Sequence, residues 1–225
     1  MSRKILIALV VAVLAAAGGA GWYFLEKPSQ TADAGAGAAA ANGNYVITAR
    51  DMTIGDPKAP VVLIEYAAPI CPHCAHFNAD IFPEIRKAYI DTGKVFYVFR
   101  VFPLAAADGV AEKLARCLPK EKYFPFMDQL FRNQQQWDPE YGIQDVRGGL
   151  LKQAQLAGMS EDQFNACVAS TKEDDAINQV AADGQSRYSI TGTPALIVNG
   201  VAVSPGSVPS LDQMKGFLDS ALASK

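Results

Sequence analysis

Apolar residues along this chain change their spacing several times, and each change marks an element or a boundary. After Arg3 and Lys4, residues 5–25 are an unbroken apolar or small-residue stretch, long enough to cross a bilayer as a helix. Two readings of residues 1–27 stand side by side. Trp22 and Tyr23 near the outer end match the aromatic belt of an uncleaved anchor, and the basic inner end orients the rest of the chain outward. The small residues at 15–20 equally offer a signal peptidase a cleavage site. In both readings the remainder is exported. Residues 28–44 hold alanine, glycine and small polar residues without apolar periodicity, which predicts a flexible linker. A folded domain is predicted over residues 45–225.

Within that domain, residues 61–66 form a short, β-branched-rich apolar run bounded by Gly55-Asp56-Pro57 and Pro60, the pattern of a buried central strand. Phe77, Ile81, Ile85 and Tyr89 follow at helical spacing. Pro83 inside that pattern predicts a kink, because proline removes a backbone bond and clashes with the preceding turn, and Gly93 predicts the helix end. Residues 95–102 are a second near-continuous apolar run, so the three elements read as a parallel βαβ unit.

From about residue 104 to 188 the period is helical. Phe126, Met127, Leu130 and Phe131 make one stripe, and Ser160 with Gln163 makes a capping box ahead of Phe164, Cys167 and Val168. The Gly148-Gly149 pair predicts an irregular or weak helix start. Strand signals return at 195–198 and 201–203 on either side of Asn199-Gly200, a favoured dipeptide of the two-residue type I′ hairpin. A second capping box, Ser210 with Gln213, opens a helix with Leu211, Met214, Leu218 and Ala221 on one face. The order strand, helix, strand, helical insertion, hairpin, helix is an α/β arrangement, and no internal repeat interrupts it.

Half of the 225 residues are hydrophobic, ample for a core of this size. The net charge of -3, with no clusters of Lys or Arg among aromatics, argues against nucleic acid as a partner.

The chemistry concentrates in Cys71-Pro72-His73-Cys74, two thiols one helical turn apart. Cys71 falls at the first turn of the helix carrying Phe77 to Tyr89, where backbone N–H groups and the positive dipole end favour a thiolate. Cys74 lies deeper. An exposed attacking sulfur and a shielded resolving sulfur are what reversible formation of a mixed disulfide requires. A zinc knuckle needs two further ligands at compact spacing, but Cys117 and Cys167 stand apart and the only histidines are His73 and His76. Covalent haem attachment needs histidine immediately after the second cysteine, where Ala75 stands. A merely structural bridge over four residues is strained and labile. No metal or cofactor is expected. His76, one turn beyond His73, reads as a partly exposed helix residue, and Arg100 as a surface or ion-paired residue on its apolar strand.

From about Tyr45 to the C-terminus the chain resembles the thioredoxin-like thiol oxidoreductases, and within them the bacterial DsbA family. The tetrapeptide is intact, the acidic residue of the preceding strand is matched by Glu65, Thr193-Pro194 stands where the family has its cis-proline loop, and the helical insertion falls between the halves of the fold. The resemblance implies a thioredoxin-like fold, a Cys71 nucleophile tuned by Pro72 and His73, a resolving Cys74, a Glu65 that exchanges a proton with Cys74, and a substrate strand received by Thr193 and Pro194. It implies no cofactor. Two positions depart from the best-known oxidase of the family: Thr193 replaces valine before the cis-proline, and Pro69-Ile70 replaces its hydrophobic residues before the first cysteine.

The activity implied is disulfide formation in other exported, cysteine-containing proteins, with reoxidation by a membrane quinone-linked partner of the DsbB type, in a monomer of the periplasm tethered to the inner membrane if residues 1–27 are retained. A reductase or isomerase of the same fold, or a chaperone-like binding module without catalysis, is the alternative. Retention of both cysteines favours exchange chemistry, because binding alone needs neither. Some members of the family carry a second disulfide in the helical domain, and in an exported domain Cys117 and Cys167 are expected to form one.

Overall fold

The computed structural model describes residues 45–225, so the readings of residues 1–27 and 28–44 lie outside the described residues. No described helix is long and apolar enough to cross a membrane. Strands β1 (Met52–Ile54), β2 (Val61–Ala67), β3 (Val95–Val101), β4 (Ala195–Val198) and β5 (Val201–Pro205) form a five-stranded sheet in the order β1-β3-β2-β4-β5. β2 and β3 pair in parallel and every other pairing is antiparallel. The edge strand β1 is absent from the sequence reading, because three residues are too few to display an alternation.

β2 and β3 are buried along their whole length. That is why they appear as unbroken apolar runs rather than alternations: both sheet faces are covered. Leu63, Ala67, Tyr97 and Phe99 lie in one core, shared with the cysteine-bearing helix and the insertion, while Val62, Ile64, Tyr66 and Val98 lie in the other, with Tyr188 and Ile190. Glu65 falls by alternation on the first face, directly behind the cysteine motif.

The helix after β2, α1, covers residues 72–90 and alternates α segments (Pro72–His76, Phe82–Ile85) with π segments (Phe77–Ile81, Arg86–Ile90). The irregularity expected at Pro83 takes this form: Ile81, just before Phe82 and Pro83, is widened to φ -111°, relieving the clash between the proline ring and the preceding turn. The insertion contains α2 (Ala106–Cys117), α3 (Tyr123–Arg132), α4 (Val146–Leu156), α5 (Glu161–Ala169) and α6 (Asp174–Tyr188), and α7 (Leu211–Ala223) closes the domain. The capping boxes of Ser160 and Ser210 open α5 and α7. Asn199 and Gly200 both have positive φ, 48° and 84°, the requirement of a type I′ turn.

The Gly148-Gly149 expectation needs correction. α4 starts regularly, with Asp145 as N-cap accepting from the Gly148 N–H. A Cβ at Gly149 would lie 2.7 Å from the Trp137 Cα and 2.8 Å from the Gln136 carbonyl. The glycine is there for close approach to the buried Trp137, not because the helix is weak at that point.

Of the two expectations for Arg100 the ion-paired one holds, and the residue is buried rather than at the surface. Its guanidinium donates to Asp51 twice, at 2.8 and 2.9 Å, to the Tyr66 hydroxyl at 2.8 Å and to the Val46 carbonyl at 2.6 Å. It ties the segment before β1 to the sheet, a satisfied charge in a low-dielectric setting. Cys117, at the end of α2, is bonded to Cys167 in α5, closing a sequence separation of 50 residues.

Candidate active site

β2 ends at Ala67, and the chain turns through Ala68, Pro69 and Ile70 so that Cys71 becomes the N-cap of α1, in extended conformation (φ -72°, ψ 118°) with Pro72 at the first helical position. Proline suits that place because the N–H it lacks would have no helical partner. The Cys71 N–H donates to the Ala68 carbonyl at 2.9 Å. Both thiols are free and both are buried, Cys71 at 5% exposure and Cys74 at 0%. The expected contrast between an exposed and a shielded sulfur is therefore one of degree in exposure; the larger contrast is electrostatic.

The Cys71 thiol is lowered from its usual value to about 5, chiefly by a hydrogen bond from the Cys74 thiol and then, against the penalty of burial, by Thr193 and the backbone N–H groups of Cys74 and His73. Cys74 is pushed well above its usual value by burial first, then by its bond to Cys71 and by the negative charge of Cys71 and Glu65. Two thiols one turn apart thus move in opposite directions. His73 is exposed, and it contributes to the sulfur through its backbone N–H. His76 is also exposed and pairs with Asp80 one turn on, Nδ1 to Oδ2 2.7 Å.

The Thr193–Pro194 peptide is cis, and the Cys71 Sγ donates to the Thr193 carbonyl at 3.3 Å. The loop before β4 therefore stands against the sulfur. The Thr193 hydroxyl is buried and has no hydrogen-bond partner of normal geometry, although it lies close enough to the sulfur to favour the thiolate.

Behind the motif, Glu65 is 2% exposed. Burial raises its carboxyl to about 7, opposed by the Tyr97 hydroxyl, which donates to Oε2 at 2.6 Å, and assisted by the charge of Cys71. A buried carboxyl held near neutrality beside a high thiol suits proton exchange with that thiol.

Three side chains at the site escaped the sequence reading. Tyr97 lies inside an apolar strand, and only the demand that a buried carboxyl find a donor points to it. Asp108 on α2 and Gln134 after α3 reach the loop before Cys71: Asp108 Oδ1 accepts the Ile70 N–H at 2.9 Å, and Gln134 Nε2 donates to the Pro69 and Cys71 carbonyls at 2.8 and 3.0 Å. Gln134 sits in a polar run that looks like any loop, so no sequence signal marks it. Among the described residues no group of His, Cys, Asp and Glu is placed to hold a metal ion.

A dithiol at the start of a helix that follows a central parallel strand, faced by a cis-proline loop and backed by a buried carboxyl, defines a thioredoxin-fold dithiol protein. Residues 48–220 match the sequence model of the family described as Thioredoxin. The crystal structure of Wolbachia pipientis alpha-DsbA1 superimposes with a TM-score of 0.70 at 31% identity, covering 79% of this chain and 94% of that one. The Bacillus subtilis disulfide bond formation protein D is 26% identical over 210 residues, 89% of this chain and 86% of its own length. A Rickettsia bellii protein provisionally named a protein-disulfide oxidoreductase is 30% identical over 168 residues, 74% of this chain; the match spans only 64% of that relative's length. The chain belongs to the thioredoxin superfamily, and within it to the DsbA-like thiol:disulfide oxidoreductases.

Proposed function

We propose that this chain is a thiol:disulfide oxidoreductase that donates its Cys71–Cys74 disulfide to cysteine-containing exported proteins. The observation that carries the reading is the opposite displacement of the two thiols: Cys71 falls to about 5 while Cys74 rises above its usual value. A substrate thiolate attacks the Cys71 sulfur of the disulfide, an S–S bond forms to the substrate, and Cys74 leaves as a thiolate that takes a proton from Glu65. A second substrate thiolate then attacks the substrate sulfur of the mixed disulfide. Cys71 leaves as a stabilised thiolate, and the substrate keeps the new disulfide. The better Cys71 is as a leaving group, the further this exchange runs toward oxidised substrate. Thr193 and Pro194 present backbone to the incoming chain beside Cys71.

The two electrons gained must pass to an oxidant, and a membrane quinone-linked protein of the DsbB type is the partner this chemistry calls for. Residues 1–27 support placing the domain outside the inner membrane, in the periplasm, with or without a retained anchor; that it acts as a monomer is part of the same proposal. Equilibrating the domain with glutathione and quenching by alkylation measures the reduction potential. A value well above that of thioredoxin, about -270 mV, supports the oxidase; a value near it makes the protein a reductase and overturns the direction proposed. Catalysed oxidation of a reduced, unfolded protein distinguishes an enzyme from a binding module.

A further inference from the structure

We propose that the helical insertion positions the nucleophile: Gln134 and Asp108 grip the backbone of residues 69–71 and hold the Cys71 sulfur at the helix start, which makes both of them positioning residues of the exchange reaction. The inference rests on the reading of Cys71 as the sulfur that exchanges with substrate.

The connection from β2 to α1 has no ladder of its own. Pro69 and Pro72 carry no N–H, and the backbone bonds flanking Cys71 are Cys71 N–H to the Ala68 carbonyl, 2.9 Å, and Ala75 N–H to the Cys71 carbonyl, 3.1 Å. The remaining bonds come from side chains far away in sequence: Asp108 to Ile70 across 38 residues, Gln134 to Cys71 across 63 and to Pro69 across 65. Gln134 is 4% exposed and Asp108 0%, so bulk water does not take their place: released, the Ile70 N–H and the Pro69 carbonyl would lose these partners, and the Cys71 carbonyl would keep only the Ala75 N–H. The other Asp108 oxygen accepts from Leu104 and Ala105 at 2.8 and 3.0 Å, which fastens the start of the insertion to the same loop.

The geometry links this grip to reactivity. The N–H groups of His73 and Cys74 act on the Cys71 sulfur only while Cys71 keeps its extended N-cap conformation, ψ 118°. The direction of the Cys71 carbonyl is what ψ describes, and the Gln134 amide holds that carbonyl together with the Ala75 N–H. Without Gln134 the carbonyl is held by the Ala75 N–H alone, and the sulfur is kept less firmly against its donors.

Gln134→Met removes the donors at nearly constant volume, and Asp108→Asn removes a charge while leaving one acceptor. For each reduced protein, thiolate absorbance near 240 nm and the rate of alkylation by iodoacetamide are followed against pH, beside a thermal melt. Q134M should move the Cys71 midpoint upward by about one pH unit, a roughly tenfold smaller thiolate fraction in acid. D108N supplies a test of sign. Loss of a nearby negative charge would by itself favour the thiolate and lower the midpoint, whereas loss of positioning raises it; we expect it to rise. A residue that merely supports the fold lowers the melting temperature and leaves the midpoint where it was, and that result in both variants overturns the inference, as does a downward shift in D108N alone. If Q134M does not fold, the sign in D108N decides. A wild-type Cys71 that titrates near its ordinary value would instead refute the assignment of the nucleophile, an outcome separable from failure of the grip because it needs no variant.

Discussion

Reducing the Cys71–Cys74 bond should stabilise this domain, against the usual effect of a disulfide, and the size of the effect follows from the two thiols. A bridge closing so small a loop stabilises the oxidised form by about 2 kcal/mol in the chain-entropy model. The reduced form has the opposing contribution. A Cys71 that titrates at about 5 when folded and at about 8.5 when unfolded adds roughly 3 kcal/mol at pH 7. A depressed folded value means that this stabilisation is complete above the unfolded pKa and is lost as pH falls through the folded one. Cys74 acts in the other direction: its raised value destabilises the reduced form once the unfolded thiol begins to ionise, above about pH 8.5. Glu65 is present in both redox forms and to first order drops out of the difference.

The reduced-form advantage should therefore vanish between about pH 6 and 7, reach about 2 kcal/mol near pH 8.5, and decline again toward pH 10. Urea titrations of the oxidised and reduced domain at pH 5, 7, 8.5 and 10 read this directly as the difference between two unfolding free energies. An oxidised form that is the more stable at every pH would refute both the thiolate assignment and the oxidising direction. A difference that keeps growing to pH 10 would refute the part of the reasoning that concerns Cys74.

Cys71→Ser and Cys74→Ser should each abolish oxidation of a reduced substrate, since neither keeps a disulfide to donate, and with a disulfide-bearing substrate Cys74→Ser should accumulate a mixed disulfide through Cys71, visible on a non-reducing gel, because the exit through Cys74 is lost; free turnover by Cys74→Ser would reverse the assigned roles. Glu65→Gln should remove an inflection near pH 7, where the Glu65 carboxyl titrates, from the pH profile of Cys74 alkylation, and an unaltered profile would exclude Glu65 as its proton partner. Replacing Cys117 and Cys167 together by alanine opens a loop spanning 50 residues and should cost about 4 kcal/mol by urea unfolding, with the dithiol chemistry retained. Asp51→Ala leaves the buried Arg100 guanidinium without its bidentate partner and should cost about 3 kcal/mol in the same assay, whereas a loss below about 0.5 kcal/mol would mean that Tyr66, Val46 and the Asp183 carboxylate 4.0 Å away are enough to satisfy it.

The elements that depend on local chemistry were readable from sequence: the hairpin at Asn199-Gly200 through its positive φ values, the helix starts at Ser160 and Ser210 through reciprocal capping bonds, and β2 and β3 through short, β-branched-rich apolar runs bounded by turn residues, the pattern of strands buried on both faces. The dithiol was readable too, because two cysteines one turn apart are a covalent fact of the chain. Tertiary structure decided what lies between distant residues. Strand alternation put Glu65 on one side of the sheet, but only the pairing of β2 with β3 brought the Tyr97 hydroxyl to its carboxylate. Gly149 looked like a weak point until Trp137 was seen 2.7 Å from where its Cβ would be. Likewise, Arg100 broke an apolar pattern without saying that Asp51 would meet it. Gln134 carried no mark at all. A glutamine in a polar run has the same local signature in solvent as in a core, and what assigns it is the shortage of backbone partners around Cys71, which exists only once the loop has been folded against the insertion.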